Sequence, residues 1–334
     1  MELSEKKVLV VKLCCIGDII QLTPALRALK ARQNRVHLVC VPWVKDVAAM
    51  VPFLDKIHIA EMKSPFGIIK TILELRKEKF DLVINYHRDL KSFVFVSMLG
   101  ARNKAGFDWG LAGALVDSRF EFDPKIHETQ RYLSVTRGLH VPDSGVYTEL
   151  KPPARAGIEF EIDGKKRSVG IFPAGGNNPG TVMAAKRWPA QNFNELIKAF
   201  EKDGLAVYVF GADFDAPVIE EAVIGTTAKV LISGLNDFSY YASKMDLFIA
   251  CDTGPLHLVA ALGVKTIGLY GPTSPDIFGA RGRHSLNMWE KQSCAPCYEP
   301  ATVLKREFLR CGDNVCMKKI TVELVYKAAK AVIQ

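Results

Sequence analysis

Short apolar runs alternate with longer amphipathic stretches along the chain, and the alternation occurs twice. In the first half, residues 7–13, 36–41, 56–60 and 81–85 are apolar runs short enough to predict buried strands. Between and after them, 44–50, 67–79 and 90–98 predict helices. A further helix is predicted from Thr23, which can cap it, with Pro24 in its first turn and Leu26 and Leu29 continuing it. Residues 127–139 predict a helix carrying Glu128 and Arg131. Lys151-Pro152-Pro153-Ala154-Arg155 reads as a linker and 163–166 as a turn. The pattern then restarts, with strands predicted at 168–172, 206–210, 229–232, 246–250 and 265–270. Helices are predicted at 192–202, 218–223, 238–243 and 258–262. A last helix spans 322–333, with Thr321 as its N-cap.

Strands that alternate with helices predict parallel sheets covered on both faces. The expected fold class is therefore α/β, with two doubly wound, Rossmann-like sheets facing each other across a cleft. The expected domains are 1–155 and 166–320, with a C-terminal helix in 321–334. Ligands of such sheets bind beyond the carboxyl ends of the strands. Asp18, His87, Arg88 and the loop Gly106-Phe107-Asp108 all follow predicted strands.

Composition narrows the classes. A chain of 334 residues can bury two cores, and its 49% hydrophobic and 24% charged residues are ordinary for a globular protein. A formal charge of +8 favours anionic partners: a nucleotide, a phosphorylated lipid or a nucleic acid. No apolar run reaches the length of a spanning helix. Lys12 and Asp18 interrupt what would be a signal-peptide core, so the expectation is a first strand and a cytoplasmic protein. The Gly-rich loop Pro173-Ala174-Gly175-Gly176-Asn177-Asn178 lacks P-loop spacing, and no GxGxxG follows a strand. Nucleotide hydrolysis and dinucleotide binding are therefore disfavoured. Without an aromatic–basic repeat or a helix-turn-helix signature, nucleic acid is not an expected partner.

Three constellations carry candidate chemistry. The first is Asp252-Thr253-Gly254-Pro255-Leu256-His257, a strand end, a tight polar turn and a helix start. Its free N–H groups and dipole suit a phosphate, although a plain helix cap with a satisfied histidine has the same pattern. The second is Gly17-Asp18 after the first strand, where a carboxylate can act as a general base or merely close a turn. The third is Lys186-Arg187-Trp188-Pro189, whose cations can pair with a diphosphate as its charge develops, or simply form a solvated basic loop.

The order of these stretches resembles glycosyltransferase family 9, the ADP-heptose:lipopolysaccharide heptosyltransferases. Val10-Val11-Lys12-Leu13, Ile16-Gly17-Asp18 and Thr23-Pro24-Ala25-Leu26-Arg27 are similar to its N-terminal signature. Lys186-Arg187-Trp188-Pro189, Asp252-Thr253-Gly254 with His257, and Gly271-Pro272-Thr273 are similar to its later ones, in the family's order. The resemblance spans about residue 8 to the C-terminus. It implies a GT-B fold with the acceptor on the first domain and the nucleotide-sugar on the second, and a C-terminal helix that can cross back onto the first domain. It implies inverting, metal-independent transfer of a heptose from ADP-heptose to a lipopolysaccharide core acceptor, with peripheral contact at the inner membrane surface.

Residue by residue, the resemblance makes Asp18 the base and Lys186 the diphosphate contact. It makes Asp252, Thr253, Gly254 and His257 the nucleotide-sugar loop, and Asp213 the ribose contact. Cys14-Cys15 stands where Ser-Ser is usual, a departure expected to change little, and Pro255 replaces Leu or Met. Family members often carry late cysteines. Here Cys294, Cys297, Cys311 and Cys316 form two close pairs flanking Lys305-Arg306, which suits a structural zinc, a disulfide pair or plain thiols. Two rival functions remain: a relative using another nucleotide-sugar or acceptor, and a non-catalytic nucleotide-sugar-binding module.

Overall fold

The computed structural model describes residues 3–178, 181–299 and 311–333. The chain divides into two compact units, Met1–Lys151 and Pro152–Gln334.

The first unit contains β1 (Lys7–Val11), α1 (Ile16–Ala31), β2 (Arg35–Cys40), α2 (Lys45–Ala49), β3 (Lys56–Ile59), α3 (Pro65–Lys77), β4 (Leu82–Asn85), α4 (Leu90–Ser97), β5 (Asn103–Phe107), α5 (Gly110–Gly113), β6 (Ser118–Phe120) and α6 (Glu128–Gly138). Its six strands are parallel, in the order β3-β2-β1-β4-β5-β6. The second unit contains β7 (Ser168–Phe172), the short hairpin β8 (Asn177–Asn178) and β9 (Thr181–Val182), α7 (Ala190–Lys202), β10 (Ala206–Gly211), α8 (Ala216–Val223), β11 (Lys229–Ile232), α9 (Leu235–Ala242), β12 (Leu247–Cys251), α10 (Gly254–Ala261), β13 (Lys265–Tyr270), α11 (Pro275–Phe278), β14 (Ser285–Trp289), α12 (Val315–Lys318) and α13 (Val322–Ile333). Its large sheet is also parallel, in the order β11-β10-β7-β12-β13-β14.

In each unit the order reverses beside the first strand, which creates a crevice at the carboxyl ends. The central strands β1, β4, β7 and β12 are buried almost throughout, which is why they read as continuous apolar runs. Helix α7 shows the complementary pattern: Phe193, Leu196, Ile197 and Phe200 fall on one face and fill the second core.

One expectation is corrected. Helix α1 begins at Ile16, seven residues before the predicted cap, so Thr23 and Pro24 lie inside it. Pro24 cannot donate to the Ile20 carbonyl four residues back. The Thr23 hydroxyl supplies that bond instead, at 2.7 Å, and also accepts the Glu149 N–H at 3.1 Å. The motif that suggested a cap is thus a repair inside a continuous helix. Helix α13 places Val325, Ala329 and Ile333 in the core of the second unit, against α7.

Thr23→Val should leave the Ile20 carbonyl buried without a partner and cost about 1–3 kcal/mol. Urea denaturation checks this: the midpoint should fall for Thr23→Val and be largely kept in Thr23→Ser. Equal midpoints for all three proteins would show that the carbonyl needs no such partner.

Candidate functional site

In the first unit, charge converges at the carboxyl end of β1. Lys12, the residue after that strand, is buried, and its Nζ lies 3.5 Å from Asp18 Oδ2. Asp18 sits in the first turn of α1, where the helix dipole also favours a carboxylate. Helix α6 delivers Glu128 and Tyr132 on one face, four residues apart. The Tyr132 hydroxyl lies 2.7 Å from Glu128 Oε1 and 3.3 Å from Asp18 Oδ1.

Burial by itself would push the Asp18 carboxyl up, but the Lys12 ammonium and hydrogen bonds from Cys14 and Glu128 outweigh it and hold the group at about 2. Burial, and then the Asp18 charge, push Glu128 up to about 7. Of two adjacent carboxyls, therefore, one is ionised and the other tends to keep its proton. His87 Nε2 accepts the Leu13 N–H at 2.5 Å, and burial followed by the Lys12 charge lowers this imidazole to about 4. The Arg88 guanidinium lies 3.4 Å from the centre of the Phe122 ring and 4.6 Å from that of Trp109.

In the second unit the corresponding edge is organised by Asp252, directly after β12. Its Oδ2 accepts from Lys186 Nζ at 2.7 Å and from the Thr273 hydroxyl at 2.8 Å. Its Oδ1 lies 3.2 Å from His257 Nε2. Burial opposes the Asp252 charge, but the Lys186 ammonium and His257 more than compensate, so the carboxyl lies well below its ordinary range. Asp252 is nearly inaccessible and orients these three side chains. Lys186 also lies 4.8 Å from the Tyr298 ring centre.

The basic loop around Lys186 is pinned on several sides. Arg187 Nε donates to the Gly175 carbonyl at 2.8 Å, and Asn314 Nδ2 to the Arg187 carbonyl at 2.8 Å. The buried Trp188 donates Nε1–H to the Ile320 carbonyl at 2.7 Å. Gly175 has φ +132°, and a Cβ there would come within 2.1 Å of Thr253 Cγ2. Only glycine lets the Gly-rich loop approach the Asp252 turn this closely.

Thr253 is the N-cap of α10, Gly254 its first residue, and His257 lies one turn in. Gly254 and Leu256 present N–H groups in the first turn and Pro255 has none, so an anion meets donors and the positive dipole end there. Asp213 follows β10 at the same sheet edge and is exposed. Its neighbour Asp215 is buried and accepts the Ala212 N–H at 3.1 Å, which fixes that turn.

The late cysteines are all free thiols. Cys297 is raised by burial and then by Cys311, and Cys316 is pushed up to about 11 by burial and then by Cys297, so the four are electrostatic neighbours. They do not form a ligand set. Among the described residues, the groups whose ligand atoms lie within 4.8 Å of one another are Cys14–Cys15–Asp18 and His37–His58–Glu78. Cys311 Sγ instead accepts the Asn314 N–H at 3.4 Å, and Cys316 lies on α12 beside Asn314. The late cysteines therefore do not fit a tetrahedral zinc in this geometry. Lys305-Arg306 lies outside the described residues. In the second group, Glu78 is already bound by the Lys7 and Lys56 ammoniums.

The sequence reading singled out Asp18, Lys186, Asp252 and His257 but missed Lys12 and Tyr132 as partners and gave Glu128 no role. The available signal was the i, i+4 pairing of Glu128 with Tyr132.

Each unit is a parallel, helix-covered sheet with its polar groups at the carboxyl edge, and two such units in one chain make the GT-B architecture of nucleotide-sugar transferases. The family model "Glycosyltransferase family 9 (heptosyltransferase)" matches residues 68–306, and the chain belongs to that family. It is 24% identical to the lipooligosaccharide heptosyltransferase 2 of Campylobacter jejuni, over 96% of this chain and 96% of that protein. It is similar in structure to the glycosyl transferase family 9 protein of Veillonella parvula, with a TM-score of 0.82, 24% identity and coverage of 100% and 98%. It is also similar to the ADP-heptose lps heptosyltransferase II of E. coli, with a TM-score of 0.77, 18% identity and 98% of each chain covered.

Breaking the pair between Lys186 and the buried Asp252 should be expensive. Asp252→Asn should destabilise the protein by about 3–5 kcal/mol near neutral pH, because an ammonium is left without its counter-charge. The folded-state carboxyl of Asp252 is depressed, so its contribution is present above the ordinary carboxylate range and is lost as pH falls below it. Denaturation curves for wild type and Asp252→Asn should therefore lie far apart at pH 7 and converge in acid. A gap independent of pH would refute the pairing.

Proposed function

We propose that the chain is an inverting heptosyltransferase that moves a heptose from ADP-heptose to an inner-core acceptor of lipopolysaccharide. The observation that carries this reading is the ionised, Lys12-held Asp18 at the carboxyl end of β1. In this reading the acceptor hydroxyl attacks the anomeric carbon from the face opposite the diphosphate. The new C–O bond forms as the bond to the phosphate oxygen breaks, and the hydroxyl proton passes to Asp18. A carboxylate of low basicity suits a late transfer, because the hydroxyl becomes strongly acidic once its oxygen has begun to bond to carbon.

Lys186 and the first-turn N–H groups of α10 take up the charge that grows on ADP. Asp252 aims Lys186, His257 and Thr273, and Asp213 is assigned to the ribose. No catalytic metal is called for. The names of the Campylobacter and E. coli relatives support the choice of donor and acceptor class.

In this reading the enzyme works in the cytoplasm with peripheral contact at the inner membrane surface. No helix among the described residues is long and apolar enough to cross a membrane. Helix α3 supports surface contact: Phe66, Ile69 and Leu73 are exposed at i, i+3 and i+7, on one face. Arg76 and Lys77 close the same helix with positive charge, which suits an anionic lipid surface. Phe66→Glu combined with Leu73→Glu should release the protein from vesicles containing anionic lipid while sparing turnover on a soluble acceptor. Unchanged co-sedimentation would refute this surface.

Incubation with ADP-heptose and lipid A–Kdo acceptors, followed by mass analysis, tests the reaction. Transfer of another sugar in place of heptose would replace the donor, and no turnover with any nucleotide-sugar would favour a binding module. Asp18→Asn should lower kcat by about 10²–10⁴-fold with ADP affinity nearly unchanged. Lys186→Ala should weaken ADP-sugar binding and slow turnover on the order of 10²-fold. Near wild-type kcat in Asp18→Asn would remove the base assignment.

A further inference from the structure

Cys14 and Cys15 end the loop that leads from β1 into α1, and Cys15 is the helix N-cap. Their sulfurs lie 3.1 Å apart, and both come within 4.8 Å of an Asp18 carboxylate oxygen. Cys15 is exposed and Cys14 half-buried, so the pair can be reached from solvent. We propose that Cys14, Cys15 and Asp18 form a chelating site for a thiophilic divalent cation, zinc or cadmium, whose occupancy removes the catalytic carboxylate.

The donor set has the chemistry for such an ion. Thiolates select soft and borderline metals, and three protein ligands with one open position make a complete small site. In a tetrahedral site with Zn–S bonds of about 2.3 Å, the two sulfurs stand roughly 3.8 Å apart. Opening the present pair to that span takes a modest side-chain rotation. Binding breaks two S–H bonds, forms two metal–sulfur bonds and sends two protons to solvent, with no change of oxidation state. The resulting dication–dithiolate–carboxylate cluster carries a single negative charge. It would lie beside the Lys12 ammonium, 3.5 Å from Asp18 Oδ2, and at the positive end of α1. His87 is not part of the set, because its Nε2 is engaged by the Leu13 N–H.

The metal site stands on geometry alone. Its inhibitory effect rests on Asp18 being the base. The test titrates the reduced, full-length protein with cadmium in a non-thiol reductant, and follows the cadmium–thiolate charge-transfer absorption and the released protons. Wild type should bind one equivalent more than Cys14→Ser combined with Cys15→Ser, releasing two protons with it. Cys15→Ser alone should weaken that equivalent on the order of 10²-fold, because the chelate becomes a single thiolate. The late cysteines contribute equally to all three titrations and cancel in the difference. Identical titrations for wild type and the double variant would overturn the site. Cadmium should also lower wild-type transfer at least tenfold, reversibly with a chelator, and leave the double variant untouched. If the extra equivalent binds without inhibition, the coupling to catalysis is overturned while the site stands. A failed base assignment is detected separately, by an active Asp18→Asn.

Discussion

At the carboxyl edge of the parallel sheet in each unit an ammonium faces a carboxylate, with one partner of the pair buried and the other half-buried. Lys12 meets Asp18 at 3.5 Å, and Lys186 meets Asp252 at 2.7 Å. The buried partner of each pair, Lys12 in the first and Asp252 in the second, keeps its charge because the other charge faces it, and removing that partner leaves it uncompensated. The surrounding polar groups are arranged around these pairs. In the first unit the charge is fixed on Asp18, so Glu128 can hold a proton and Tyr132 can lie against both carboxyls. In the second, Asp252 gathers a lysine, a histidine and a threonine that the sequence separates widely. The basic loop carrying the lysine is held from behind by Arg187 and Trp188. The stiffness of the parallel sheets makes this possible, because residues beyond the ends of neighbouring strands meet without any local motif.

The fold was most legible where its strands are buried on both faces, because the central strands read as apolar runs. Of the edge strands, β6 and β14 gave no such run, while β3 and β11, no better buried, were read from their short apolar segments. The start of α1 was misread because Thr23-Pro24 has the composition of a cap. Only the structure shows the threonine hydroxyl substituting for the missing proline N–H. The candidate site was legible where its residues sit in compact motifs, as with Asp252 to His257. It was illegible where its geometry depends on convergence: Tyr132 approaches Asp18 across 114 residues of chain.

The cysteines give the opposite lesson. Spacing drew attention to the four late residues, yet these thiols are neighbours without a shared centre. The adjacent pair at the head of α1 appeared to be an inconsequential exchange of small residues. A turn that aims two neighbouring side chains the same way, beside a carboxylate from the next helical turn, brings together what spacing alone does not reveal.

The seating of α13 has a consequence for biosynthesis. Val325, Ala329 and Ile333 belong to the same core as strands β7, β10, β12 and β13, and the Ile320 carbonyl just before the helix receives the Trp188 indole. The second unit can therefore close its interior only after α13 has left the ribosome. The first unit has its whole core in hand once Lys151 has emerged. During synthesis the nascent chain thus passes through a stage in which a finished first unit precedes an open second sheet, with the apolar face awaiting α13 still uncovered. Chaperone demand would be concentrated in that interval.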